Sequence, residues 1–337
     1  MSPGDLTPGA TQAVCIAGVV GSFAVAAEEV LPRLAGLMLS ESTVQRATEA
    51  VGRHVEGLVT AGRAFGADRP WAWHKDAEGL TCAYVSIDAT GVPQQGPGGT
   101  ADDARMATVA MVYNPVPEDH DRWAKPAGPR PPSQARYLAS LRGQASLGEP
   151  LRRQAAQVGM DRARRWIGLS DGGSGLEDWL GTNFGRLDAV ILDFYHASEY
   201  LRELSKAVHG AGTEAAQARH REWSHRLKHE GGQVMLDELR GLAPPPRGSA
   251  LEVWEATVTY FANQRHRMDY PAYRAKGWQI GSGPVESACK RVVGQRLKCA
   301  GMRWGEPGSD GVCHLRALFL SEKGQWDAFW AEHQGAA

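Results

Sequence analysis

The sequence predicts an α/β protein whose mixed β-sheet is flanked by helices. Two short, continuous apolar runs, at residues 166–169 and 189–192, are typical of buried parallel strands. Residues 81–87 and 106–113 are two further predicted strands, because the helical periodicity of the preceding region stops there. Helical patterning returns after the last predicted strand and continues towards the end of the chain.

The N-terminal region, residues 1–70, is predicted to be helical. Apolar residues recur at spacings of three and four and form one stripe, which consists of Val44, Ala47, Val51, Val55 and Leu58. Ser42 and Gln45 have the spacing of a capping box at the start of this helix. The stripe is typical of a surface helix that packs on a neighbour, and a helix-turn-helix that contacts DNA is the alternative.

The middle of the chain alternates between linkers and regular elements. Residues 96–99 form a Gly/Pro-rich link, and residues 114–132 contain six prolines and are predicted to be an irregular loop. Helical patterning is predicted from about residue 133 to 159. It covers most of residues 195–268, with a break at residues 242–247, and begins again near residue 284. The predicted organisation is a core of residues 71–205 and 275–337, with a helical insertion at residues 206–274.

Composition limits the class of protein. The chain has 337 residues and a formal net charge of −1, which leaves room for a local basic groove but excludes a chain that is basic throughout. The five cysteines form no C-x-x-C pair, so no zinc is expected, and their odd number is typical of a reducing cytoplasm. The apolar run at residues 13–27 is too short to span a bilayer, so no membrane association is expected.

Three acidic residues form the most informative pattern. Asp88 is predicted to end a strand, Asp171 follows the strand at residues 166–169, and Glu286 opens the last helical segment. Polar groups at the carboxyl ends of neighbouring strands meet in one crevice. Divalent cations relieve the repulsion between crowded carboxylates, and Mg²⁺ prefers oxygen ligands. The pattern therefore predicts two Mg²⁺ or Mn²⁺ ions, about 4 Å apart, that support cleavage and transfer of phosphodiesters.

A second acidic pattern follows the strand at residues 189–192. Asp193, His196 and Glu199 lie three residues apart, close to one helical face. A metal-ligand triad and a simple Asp cap beside a satisfied histidine are both compatible with this spacing. We expect Asp193 and His196 to form a supporting pair, with Asp193 as the reserve candidate for the second catalytic acid.

Residues 287–305 are basic and contain no acid. Five cations in this stretch are predicted to contact DNA phosphates beside Glu286: Lys290, Arg291, Arg296, Lys298 and Arg303. Several of them fall on one broad face of a predicted helix, and a solvated basic face is the alternative. Trp278 and Trp304 flank the stretch, where they either pack or stack on an unpaired base.

These stretches resemble the ISKra-type insertion-sequence transposases, a bacterial family whose catalytic residues are two aspartates and a glutamate (DDE). The resemblance extends over about residues 40–330. The matching segments are 84–93 (YVSIDATGVP), 105–115 (RMATVAMVYNP), 170–173 (SDGG), 191–199 (ILDFYHASE), 277–286 (GWQIGSGPVE), 295–298 (QRLK), 301–304 (GMRW) and 314–317 (HLRA). Related Mutator-like enzymes carry a C/D-x-x-H motif, which Asp193 and His196 match.

The resemblance implies a ribonuclease-H-like core with an α-helical insertion before the last acid. It implies that Asp88, Asp171 and Glu286 bind two Mg²⁺ or Mn²⁺ ions and catalyse the cleavage and joining of double-stranded DNA at the element ends and the target. It also implies that the protein acts as a homo-oligomer in the cytoplasm, where it is associated with the nucleoid. Family members usually carry a cysteine-rich zinc segment before the part that matches Leu6-Thr7-Pro8. This chain begins almost there, so a truncated DNA-binding remnant that does not transpose is one alternative. A stand-alone ribonuclease-H-like nuclease is another.

Overall fold

The computed structural model describes residues 6–115, 134–246, 248–322 and 324–335. Within these residues the protein is α/β, with a six-stranded mixed sheet flanked by helices. The strands are β1 (His74–Lys75), β2 (Thr81–Gln95), β3 (Ala101–Asn114), β4 (Gln134–Ser140), β5 (Arg165–Ser170) and β6 (Ala189–Leu192). Their order is β4-β3-β2-β5-β6, with β1 paired to β2. β5 is parallel to both β2 and β6, whereas β3 and β4 are antiparallel.

The α-helices of the described residues are α1 (Pro8–Val20), α2 (Phe23–Val25), α3 (Leu31–Ala35), α4 (Glu41–Thr60), α5 (Gly148–Gln157), α6 (Leu176–Asn183), α7 (Phe194–His209), α8 (Glu214–Glu230), α9 (Gly232–Gly241), α10 (Ser249–Gln264), α11 (Tyr270–Ala275), α12 (Gly283–Ala288), α13 (Gln295–Leu297), α14 (Glu306–Leu320) and α15 (Gln325–Gly335). Two π-helical segments, Ala26–Val30 and Cys289–Gly294, interrupt them. None of the helices in the described ranges has the length and apolarity needed to cross a membrane.

The chain divides into two compact units. Unit 1 consists of Met1–His74, Ile87–Arg162 and Val285–Ala337, and unit 2 of Lys75–Ser86 and Ala163–Pro284. The predicted boundaries at residues 70, 205 and 275 separate an N-terminal region, a core and an insertion. They stay predictions, because a division into compact units does not test them.

Unit 1 has α4 packed against α14 at very short range. Gly52 of α4 lies against the backbone of Gly311, because a Cβ atom at position 52 would be 2.2 Å from the Gly311 carbonyl oxygen. Four members of the predicted stripe of α4 are buried, and Leu58 is half-buried. The predicted capping box is wrong, since the cap of α4 lies two residues earlier than Ser42. Its cap is Ser40, whose hydroxyl accepts from the Thr43 amide at 3.2 Å.

Unit 2 is built on the first half of β2 together with β5 and β6. Their pairing aligns Ser86 with Leu169 and Leu169 with Ile191. Leu169, Ile191 and Leu192 are fully buried, which confirms the predicted buried parallel strands. Helices α6 to α11 complete the unit, and the break between α9 and α10 covers the predicted one at residues 242–247.

Two predictions about the middle of the chain need correction. Residues 134–140 form strand β4 and not a helix, and the helix begins only at Gly148. Six of the seven residues of β4 are buried, so the alternation that identifies a strand with one solvated face is missing. β2 and β3 are also longer than predicted. Residues 101–106 at the start of β3 are all exposed, and residues 88–91 of β2 are half-buried, so neither part carries a continuous apolar signal. The predicted loop at 114–132 lies outside the described residues from 116 onwards.

Candidate functional site

Asp88 lies in the interior of β2, in unit 1. The strand was expected to end at this residue, but it continues to Gln95 as one arm of the hairpin, so this expectation is wrong. The Asp88 carboxylate is half-buried. Its Oδ1 accepts from the Ala89 amide at 2.7 Å, and its Oδ2 accepts from the Cys289 thiol at 3.5 Å. Asp88 is therefore held in place by its own strand and by the segment that follows α12.

Glu286 occupies the first turn of α12, as the sequence predicts, and is exposed. Cys289 interacts with both candidate acids of unit 1, Asp88 and Glu286. Burial raises the pKa of its thiol, and the charges of Asp88 and Glu286 raise it further. The thiol therefore stays protonated at neutral pH and can donate to Asp88. No sequence pattern singles out Cys289, because only the fold brings it to Asp88.

The basic stretch after Glu286 is not one regular helix. A π-helical segment covers Cys289–Gly294, and helical geometry ends at Leu297. The wider π-turn changes the angle between successive side chains along this stretch. Lys290 and Arg291 are exposed. The Lys298 ammonium donates to the Thr90 hydroxyl at 3.0 Å, which ties the end of this stretch to the hairpin arm.

Arg303 and Arg296, which are both predicted to contact DNA phosphates, differ in their exposure to solvent. Arg303 is exposed, and its guanidinium donates to the Gly99 carbonyl at 3.2 Å. Arg296 is 1% exposed, donates to the Gly18 carbonyl at 2.8 Å, and lies over the rings of Phe23 and Trp304. Burial lowers the pKa of Arg296 to about 10. Arg296 thus serves packing in this structure, and no nucleic-acid backbone can reach it there.

Both flanking tryptophans of the basic stretch pack within the protein. Trp304 is buried, and its backbone bonds with Pro93 and Gln95 of β2. Trp278, in unit 2, is buried against Tyr273 in a stacked arrangement, with the Lys276 ammonium 4.5 Å from its ring centroid. The packing alternative therefore holds for both rings.

Asp171 directly follows β5 in unit 2, as predicted. It is half-buried, and its Oδ1 accepts from the Gly173 amide at 2.9 Å. Gly172 lies close to the Tyr260 ring, because a Cβ atom there would be 2.5 Å from Tyr260 Cε2. This bond and this contact fix the turn that presents the Asp171 carboxylate.

Asp193 directly follows β6 and is almost fully buried. Its carboxylate accepts from the amides of Tyr195 and His196 at 3.0 and 3.3 Å, which caps α7. It also accepts from the Ser282 amide and hydroxyl at 3.2 and 2.9 Å. Asp193 therefore connects α7 to the segment that leads to Glu286, which is the cap alternative that the sequence left open.

His196 lies on the first turn of α7, where it is half-buried. Its Nδ1 lies 3.9 Å from Glu199 Oε2, and its ring contacts Tyr200 and Tyr260. Tyr200 and Tyr260 are stacked with ring centroids 3.9 Å apart. Because the carboxylate of Asp193 turns back to cap the helix, His196 interacts with aromatic rings and Glu199.

Arg267 is a functional candidate that the sequence did not reveal. It is 2% exposed and donates to the Ser170 hydroxyl at 2.6 Å, next to Asp171, and to Gln264 Oε1 at 3.0 Å. Burial lowers the pKa of its guanidinium, and the charges of Glu177 and Asp171 oppose that shift. In the sequence it is one of three consecutive basic residues, which resemble any solvated run.

The described groups can act as oxygen ligands for cations. Carboxylates accept hydrogen bonds only, and each offers about four lone-pair sites. Asp88 and Glu286 belong to unit 1, and Asp171 and Asp193 to unit 2. That the acids of both units bind the same pair of ions stays a prediction.

Comparison with known proteins finds no family model that matches this chain, and no curated protein that is significantly similar to it.

Proposed function

We propose that this protein is a metal-dependent DNA transposase of the DDE type, which cleaves the ends of an insertion sequence and joins them to target DNA. The observation that carries the proposal is the register of two parallel strands. Ser86 of β2 pairs with Leu169 of β5, and each is followed two residues later by an aspartate, Asp88 or Asp171. That the two aspartates act together is part of the proposal, because side chains at the carboxyl ends of neighbouring parallel strands can share one crevice.

A ribonuclease-H-like identity for the core is part of this proposal. What supports it is the mixed sheet flanked by helices, together with the helices α8 to α11. These helices stand between β6 and Glu286, where the resemblance implies an insertion. The motifs that carry the resemblance suggest the transposase activity, and the strand register is the structural observation that supports it.

The residues proposed to hold Mg²⁺ or Mn²⁺ are Asp88, Asp171 and Glu286. Their oxygen-only donor set fits these hard cations. When bound, a pair of such ions supplies an activated water or 3′-hydroxyl and stabilises the leaving oxygen. The protein contributes fixed carboxylates: Asp88 is held by Ala89 and Cys289, and Asp171 by Gly173. Asp193 acts as a positioning residue through Ser282.

The proposed partner is double-stranded DNA, bound by a homo-oligomer in the cytoplasm and associated with the nucleoid. Four exposed cations, Lys290, Arg291, Lys298 and Arg303, follow Glu286 along the chain. Exposed lysine and arginine side chains neutralise phosphates without regard to sequence. Their position next to a proposed metal ligand supports contact with the backbone of the DNA that is cleaved.

The test is strand cleavage and strand transfer with duplexes that carry the inverted repeats flanking the gene. With Mg²⁺, we expect the unmodified protein to cleave and join, whereas Asp88→Asn, Asp171→Asn and Glu286→Gln each lose both steps and keep the fold. Asp102→Asn, an exposed acid on the hairpin arm, is the matched control and should retain activity. Excess chelator should abolish the reaction.

Several outcomes would contradict this assignment. Robust cleavage in excess chelator would exclude the proposed ions. Full activity of Asp171→Asn would transfer the role of second acid to Asp193. Cleavage that is never followed by joining would indicate a stand-alone nuclease, and DNA binding without cleavage would indicate a non-transposing remnant.

A further inference from the structure

A second group of potential metal ligands lies in unit 1 and includes none of the proposed catalytic acids. Glu56 of α4 and Asp310 and His314 of α14 each offer one ligand atom, and these atoms all lie within 4.8 Å of one another. The three residues are between 5% and 9% exposed. Three polar side chains are thus gathered in a largely buried site, where water can form few hydrogen bonds with them.

The imidazole of His314 is the member whose hydrogen bonding is incomplete. Its Nε2 is buried and has no hydrogen-bond partner, and the nearest oxygen of Asp310 is 3.7 Å away, too far for a hydrogen bond. Buried polar atoms are almost always paired, so an unpaired one needs an explanation. Burial lowers the pKa of His314 to about 4, which leaves a neutral ring at neutral pH. A neutral imidazole nitrogen is a ligand for transition metals.

The charges of the group favour a cation. Two carboxylates share one close countercharge, because the Arg142 guanidinium pairs with Glu56 and lies 3.4 Å from Asp310 Oδ2. Arg53, which pairs with Glu49 at 3.8 Å, acts on Glu56 only as a smaller influence. Burial raises the pKa of Glu56, and the charge of Asp310 raises it further. Because the side chain of Arg142 is 65% exposed, it can turn outwards when a cation arrives.

The backbone around the group holds its ligands in place. Asp310 and His314 are one turn apart on α14, and Glu56 is one turn beyond Gly52, where α4 touches Gly311. Asp310 Oδ1 accepts from the Ser140 hydroxyl at 3.1 Å and from the Leu141 amide at 2.8 Å. Such outer contacts orient the ligands of a metal site.

We propose that Glu56, Asp310 and His314 bind one divalent transition-metal cation. One imidazole nitrogen and two carboxylate oxygens are suitable ligands for Zn²⁺ or Mn²⁺, and the mixed set binds Mg²⁺ less well than an oxygen-only set does. Ligand atoms about 2.1 Å from one ion are about 3.4 Å from one another, so modest side-chain rotations complete the site. The cation pairs with His314 Nε2 and neutralises the carboxylates. Metal binding at this site does not depend on the proposed transposase activity.

The experiment is a calorimetric titration of the chelator-treated, full-length protein with ZnCl₂ in a buffer that contains Mg²⁺ to fill oxygen-only sites. We expect one equivalent of Zn²⁺ to bind. His314→Gln should weaken this binding by about tenfold or more. The matched control is the double variant His225→Gln/His229→Gln, which removes a surface pair of stacked histidines one turn apart on α8. It should bind Zn²⁺ at the buried site with unchanged affinity.

Two further measurements keep the test decisive. Arg142→Ala removes the competing guanidinium and should bind Zn²⁺ several-fold more tightly, whereas a purely structural ion pair predicts no binding in either protein. If His314→Gln unfolds, Glu56→Gln replaces it and should show the same loss. The proposal is overturned if the unmodified protein binds no equivalent of Zn²⁺, or if binding is lost in the α8 variant and retained in His314→Gln.

Discussion

Gly52→Ala tests the closest helix contact in the structure. A Cβ atom at this position would lie 2.2 Å from the Gly311 oxygen and 2.5 Å from the Gly311 carbonyl carbon. Ordinary van der Waals contact begins at about 3.4 Å. The two backbones must therefore separate by about 1.2 Å, and neither can yield as a flexible side chain would. The neighbouring buried residues Val51 and Val55 would lose contacts in the process.

The expected magnitude follows from two opposing effects. Overpacking a well-packed core costs about 1–3 kcal/mol. Replacing a helical glycine by alanine returns about 0.5–1 kcal/mol. We expect Gly52→Ala to lower the free energy of unfolding by about 1–2 kcal/mol. For a unit of roughly 200 residues this corresponds to a melting temperature that is lower by about 2–8 °C.

Gly57→Ala is the matched control on the same helix. Gly57 is exposed, and a Cβ atom there would meet no atom within 4 Å. The propensity gain is unopposed, so we expect this variant to melt about 1–3 °C above the unmodified protein. Both variants are compared by thermal unfolding monitored by circular dichroism. A Gly52→Ala protein that melts at or above the temperature of the unmodified protein would refute the close backbone contact.

Three more predictions concern the acids, the buried histidine and the basic stretch. Asp193→Asn should lower stability by about 1–3 kcal/mol in chemical denaturation, because its carboxylate caps α7 and binds Ser282, whereas Asp171→Asn should be nearly neutral; equal effects would contradict the positioning role. Burial lowers the pKa of His314 from 6.5 to about 4, so the unfolded chain binds a proton that the folded protein excludes. The free energy of unfolding should therefore be unaffected by His314 above pH 6.5 and fall by up to about 3 kcal/mol as the pH falls towards 4, while the raised pKa of Glu56 acts in the opposite direction. A plot of stability against pH should be flatter for His314→Gln, and an unchanged plot would contradict the burial of that ring. Replacing Lys290, Arg291 and Lys298 by alanine should weaken binding to any duplex and reduce the slope of log affinity against log salt by about 2.7; an unmoved slope would mean that the stretch is only a solvated face.

The sequence predicted those elements whose apolar residues form a continuous run or a regular period, and it missed those without such a pattern. The parallel strands β5 and β6 were located because their apolar runs depend only on burial, and α4 was located by its periodicity. β4 was missed because both of its faces are covered. The candidate acids Asp171 and Glu286 were found at the ends of elements, as expected. Asp88 was expected at a strand end, but β2 continues past it into a hairpin arm that has no continuous apolar run.

By itself, the sequence determined most of the local elements, such as α4, β5 and β6, and which residues are chemically able to bind cations or phosphates. These properties depend on neighbouring residues and on side-chain chemistry. Only the tertiary structure decided the environment of those side chains. It buried Arg296 against two aromatic rings, used Asp193 as a helix cap, and brought Cys289 to Asp88 and His314 close to Glu56. Burial and long-range contact decide whether a charged group meets solvent, a partner or a ligand, and they arise only when distant segments pack together.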